Sequence, residues 1–110
     1  MKTTDLREIM RLAWRMLKIT GRAFDECLRR AWANFKLRKM MQNRIVEFFY
    51  VKSSTGELRQ AFGTLQRSVI EDKIKGSERK ENEMCFTYYD CEQEGFRSFK
   101  RFNLVKIVNA

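Results

Sequence analysis

The stretch YYDCEQEGFRSFKRFNLVKIV, residues 88–108, decides how the second half of this chain folds. Aromatic and polar residues lead to Gln93-Glu94-Gly95, a tight turn, after which Phe96 to Arg101 reads as the returning strand. That pattern is a β-hairpin. A short turn at Phe102-Asn103 then leads directly into a further strand, Leu104 to Val108. A one-turn break between two strands makes the sharp corner of a small, strongly bent barrel.

Upstream, the same reading supplies the remaining strands. The hairpin's first strand runs from Met84 to Glu92. Ile45-Val46-Glu47-Phe48-Phe49-Tyr50-Val51 is β-branched and aromatic, hence a strand. Ser53-Ser54-Thr55-Gly56 is a turn, and Glu57 to Leu65 is a strand interrupted by Gly63. Residues 66–83, polar, charged and containing Lys75-Gly76-Ser77, read as a long functional or mobile loop.

Residues 1–43 follow a different period. Leu6, Ile9, Met10, Ala13, Trp14 and Leu17 recur at helical spacing over residues 5–20, and Asp5 with Glu8 resembles a capping box. Gly21 is a natural stop. A second helix spans residues 25–41, with Cys27, Leu28, Ala31, Trp32, Phe35 and Met40 or Met41 as its apolar set. Ala13-Trp14-Arg15-Met16-Leu17-Lys18 matches Ala31-Trp32-Ala33-Asn34-Phe35-Lys36 at a constant offset. The two helices therefore form an αα-hairpin whose equivalent faces meet each other or the β-domain. Trp14 and Trp32 are assigned to packing rather than to base stacking. The expected fold is α+β: a helical hairpin over residues 1–43, then a five-stranded Sm/SH3-like barrel over residues 44–110. The helices dock on the barrel and close one end. If they form a separate arm, their apolar faces need another chain, and the protein is a homodimer or partner-binding module.

The quoted stretch also carries a resemblance. Tyr88-Tyr89-Asp90-Cys91-Glu92, the Gln-Glu-Gly turn and Phe96-Arg97-Ser98-Phe99-Lys100-Arg101-Phe102-Asn103-Leu104 look like the end of a WYL-type domain. Gly56-Glu57-Leu58-Arg59 and Gly63-Thr64 resemble the small WYL-like, Sm/SH3-like barrel proteins of gut bacteria and their phages. The resemblance covers about residues 44–108. It lacks the Trp-Tyr-Leu signature, near which Met84-Cys85-Phe86 stands, and no winged helix precedes it. It implies that Arg97 and the basic positions near it engage a negatively charged ligand.

Charge gives the function class. Residues 1–44 contain 12 Lys and Arg against 4 Asp and Glu, while residues 45–110 contain 11 against 10. Nearly all of the net +9 thus lies in the helical segment. Arg7, Arg11, Arg15, Lys18 and Arg22 recur at intervals of four or three and share one face. Such rows bind phosphates through counterion release. A more diffuse set, Arg29, Arg30, Lys36, Arg38, Lys39 and Arg44, extends the charge. On the barrel, Arg59, Arg97, Lys100 and Arg101, with Tyr89, suit an aromatic and cationic surface for bases and phosphates. Against this, Phe99 belongs to the core by alternation, and Arg97 can pair with Asp90 or Glu92 across the hairpin.

Several chemistries are set aside. The chain has no histidine, so Ser-His and Cys-His catalysis is excluded. Cys27, Cys85 and Cys91 form no CxxC pair and read as free thiols. No cofactor, metal or catalytic residue is expected. No apolar segment approaches a membrane span of about 18 residues. The expectation is a cytoplasmic, non-catalytic protein, in a bacterium or an infected host cell, that binds nucleic acid. The alternatives are a module that binds an acidic protein, such as an inhibitor of a host defence protein, and a nucleotide-ligand sensor.

Overall fold

The computed structural model describes residues 3–70 and 84–108. Helix α1 spans Thr3–Thr20 and α2 spans Phe24–Met41. The strands are β1 (Val46–Val51), β2 (Leu58–Thr64), β3 (Cys85–Asp90), β4 (Gly95–Lys100) and β5 (Leu104–Ile107). A one-turn helix, α3 (Arg67–Ile70), follows β2, and a 3-10 turn, Arg101–Asn103, joins β4 to β5. The expected loop over residues 66–83 thus begins with a helical turn, and its part beyond residue 70 lies outside the described residues.

The strands make one antiparallel sheet in the order β4-β3-β2-β1-β5. β1 and β2 pair along their full length, Val46 opposite Gly63 through Val51 opposite Leu58. β3 and β4 pair from Cys85 opposite Lys100 to Asp90 opposite Gly95. The β2–β3 register is short, Gly63 opposite Asp90 and Thr64 opposite Tyr89. The sheet coils without closing. β1 and β4 are three strand spacings apart in the ladder, about 14 Å in a flat sheet. Yet Tyr50 of β1 stacks on Phe99 of β4 with ring centres 5.0 Å apart. This curvature makes a barrel-like core of Phe48, Tyr50, Phe86, Tyr88 and Phe99.

α2 completes that core with Leu37 and Met41. Its polar side then ties the corner down. Asn34 Nδ2 donates to the carbonyls of Arg30 and Arg101, both at 2.8 Å. Arg30 donates to the Phe102 and Leu104 carbonyls, and its guanidinium lies 4.2 Å above the Phe102 ring. The helical hairpin therefore docks on its own barrel, which removes the unpaired arm that called for a second copy.

α1 rests on α2 through Ile9, Ala13, Met16, Cys27 and Ala31, all buried. Ala13 and Ala31, equivalent in the repeat, are both fully buried, so two small residues let the helices approach. Gly21 ends α1 with φ +69, and its N–H bonds the Leu17 carbonyl at 2.9 Å. Two expectations need correction. Asp5 lies inside the first turn of α1, so it makes no capping box, and Glu8 bonds Arg38 instead. Trp14 and Trp32 pack against Phe24 and Phe35, with ring centres 4.5 and 6.4 Å apart, but at the surface and not in the core: they are 50% and 37% exposed. Each sits one residue past a buried alanine, and one residue is about 100° of helix rotation.

Candidate functional site

Arg7, Arg11, Arg15 and Lys18 are all exposed on α1. The helix ends at Thr20, so Arg22 does not share its face. Arg22 is exposed in the linker, with its N–H on Thr20 Oγ1 at 3.2 Å. Glu8, the acid nearest the row's centre, turns toward α2, where its carboxylate accepts from Arg38 at 2.9 Å. Glu8 is thus engaged by α2. The diffuse set on α2 is more structural: Arg29 faces Asp25 at 4.0 Å, Arg30 faces Glu26 at 3.4 Å, and Arg38 takes Glu8.

The barrel candidates divide differently. Asp90, 1% exposed, closes the β3–β4 turn by accepting the N–H groups of Glu92 and Gln93 at 2.9 and 3.1 Å. Its other oxygen lies 3.9 Å from both Arg59 and Arg97. Arg97 stands opposite Tyr88 in the ladder, two positions along from the Asp90–Gly95 pair, so the contact is diagonal across one face. Arg59 is half-buried against that carboxylate and leaves the surface set. Tyr89 leaves it too: it is buried, edge-on to Phe96 at 5.5 Å. Lys100 is exposed. Arg101 is half-buried, its guanidinium 5.1 Å from the Phe86 ring centre. Phe99 is buried, as alternation required.

At the barrel, Arg97 shares a groove of about 420 Å³ with Lys52, Ser53, Ser54 and Ser98, floored by Tyr50 and Phe99. No carboxylate lines it. Its hydroxyls and two cations suit an anionic group. Behind this floor, Tyr88 is fully buried, and its hydroxyl has no hydrogen-bond partner among the described residues. Burial first, then the neighbouring Tyr50 hydroxyl and the Asp90 carboxylate, push its pKa well above the ordinary tyrosine range. Burial also pushes the Cys91 thiol up, with Asp90 adding to the shift, which keeps it protonated and a poor nucleophile. Among the described residues no group of three His, Cys, Asp or Glu side chains is placed to hold a metal, and no helix is long and apolar enough to cross a membrane.

Sequence reasoning missed two residues that organise these surfaces. Asp90 entered only as one of two options for Arg97, and nothing local tied it to Arg59. Asn34 entered only as a position in the helix repeat, yet it is 1% exposed.

The coiled five-stranded sheet, with a 3-10 turn before its last strand, has the form of an Sm-like SH3 β-barrel. A family profile of that description, WYL_2, matches residues 34–105. The chain belongs to the WYL_2 family. The match starts inside α2, at the asparagine that holds the corner of the barrel. No curated protein and no solved structure matches the chain. Membership in WYL_2 supports a small binding or regulatory domain.

Proposed function

We propose that this WYL_2 protein is a non-catalytic module that binds a polyanion, with nucleic acid as the favoured class, along the exposed face of α1. The observation that carries this reading is the row Arg7, Arg11, Arg15 and Lys18, all solvent-exposed at helical spacing on α1. Such a row matches successive phosphates, and each contact releases counterions. Arg97 and Lys52 in the barrel groove, with exposed Lys100, offer a second cationic surface. Tyr89 contributes no base stacking, since it is buried.

The test is an anisotropy titration of single- and double-stranded DNA and RNA against salt. Affinity should fall by orders of magnitude between about 50 and 200 mM salt, as several phosphate contacts require. Affinity that ignores salt contradicts the proposal.

One observation favours an acidic protein as the second reading. Leu6, Met10 and Trp14 are 42%, 40% and 50% exposed, one turn apart on α1 and beside the cations. An apolar stripe flanked by arginines fits an acidic amphipathic helix. A defined one-to-one protein complex that survives nuclease treatment, in a chain that binds no nucleic acid, would favour it.

A further inference from the structure

A second groove, sharing no residue with the one at the barrel, runs between the helices and the start of the 3-10 turn. It holds about 230 Å³. Arg11, Arg38 and Arg101 line it, with Glu8 as its one carboxylate, so its lining carries two positive charges in excess. Phe35 forms part of the wall, with the Arg38 guanidinium 5.6 Å and the Lys39 ammonium 5.5 Å from its ring centre. Asn34 also lines the groove. Its Nδ2 is pinned by two carbonyls, while its Oδ1 is buried with no hydrogen-bond partner among the described residues. Rotating the amide cannot relieve this, because both donor contacts would be lost. A buried carbonyl without a donor is a standing cost that a ligand N–H removes.

We propose that this groove binds one nucleotide through a terminal phosphate monoester. Arg11, Arg38 and Arg101 take the phosphate, whose dianion matches the excess charge; guanidinium forks bind such groups bidentately. The base lies against Phe35, because aromatic rings stack with bases of any sequence. A base N–H points to Asn34 Oδ1. That oxygen is buried, so the groove lining must shift slightly to admit the donor. The volume is below the range of about 300–1,000 Å³ typical of drug-sized pockets, so the groove takes one small ligand and not a strand. The shared chemistry, a nucleotide 5′-monophosphate, has two sources: a free mononucleotide or the phosphorylated end of a strand. This site goes beyond the cation row, which would read internal phosphates, and the two have only Arg11 in common.

The experiment is calorimetric titration of the intact chain with AMP, GMP, CMP, UMP and inorganic phosphate. In parallel, one short single strand is titrated with either a 5′-phosphate or a 5′-hydroxyl. A free source predicts that at least one mononucleotide saturates and binds tenfold or more tighter than phosphate. A strand-end source predicts a tenfold or greater preference for the 5′-phosphate strand. In either case Leu12→Trp, which fills the groove without changing its charge or freeing Glu8 from Arg38, removes the preference while leaving 5′-hydroxyl strand binding unchanged. The proposal is overturned by equal affinity for both strands together with no mononucleotide saturation, by phosphate binding as tightly as the nucleotides, or by a preference that survives Leu12→Trp. If nucleotides bind but the 5′-hydroxyl strand does not, the α1 reading fails and this one stands.

Discussion

Gly63 is a glycine because Tyr88 occupies the space a side chain would need. A Cβ at Gly63 would lie 2.4 Å from Tyr88 Cδ2 and 3.1 Å from Met41 Cε, closer than packed atoms allow. Gly63→Ala should therefore cost about 1–3 kcal/mol, as overpacked cores do, measured by urea unfolding. Tyr88 itself makes a pH prediction. Its folded-state pKa is pushed above the ordinary value by burial first and Tyr50 next, so the folded state prefers the neutral phenol. Below the unfolded value, about 10, both states are neutral and the contribution to stability is complete. As pH rises past that value, the unfolded chain ionises while the folded one does not, and stability falls. Tyr88→Phe should flatten this alkaline loss. At neutral pH it should change stability by less than about 1 kcal/mol, since the hydroxyl is buried without a partner. An unaltered alkaline limb would show that Tyr88 is not its source.

The β3–β4 hairpin depends on one carboxylate. Asp90 holds the turn through two N–H groups and faces Arg59 and Arg97 from a buried position. Asp90→Ala should cost about 2–4 kcal/mol, because it strands turn donors and two cations together. Arg97→Ala should cost less than about 1 kcal/mol, since its side chain is 42% exposed and screened. Thermal unfolding of the two variants checks the order; equal losses would refute it. Most elements were legible in the sequence because their signals are local. β-Branched and aromatic runs bounded by turn residues placed the strands within two residues, and Gly21 marked the end of α1. The faces of the helices were less legible. Apolar type alone did not distinguish Trp14 and Trp32, which point outward, from Met16 and Leu37, which are buried. Asn34 was invisible because one carbonyl it satisfies, that of Arg101, lies 67 residues away. The Arg59–Asp90 contact also joins distant segments that only the folded sheet brings together.

At the scale of the molecule, a nearly neutral barrel serves as the platform for a basic helix. α2 is shared: Leu37 and Met41 sit in the barrel core, while Cys27 and Ala31 carry α1. The +8 net charge of the first 44 residues is thus held on a docked surface, not on an unpaired arm. The cation row was legible because its spacing matches the helical period. The separation of the barrel cations into groove, core and Asp90 contacts was not, because it depends on how the sheet coils. The central claim is that the α1 row carries polyanion binding. The direct measurement is the slope of log affinity against log salt for a single strand, in the wild type and in Arg7→Gln with Lys18→Gln. Both residues are exposed, and neither lines either groove. Loss of two phosphate contacts should lower the slope by about two units and weaken all sequences alike, with the fold intact. An unchanged slope and affinity in the double variant would contradict the account.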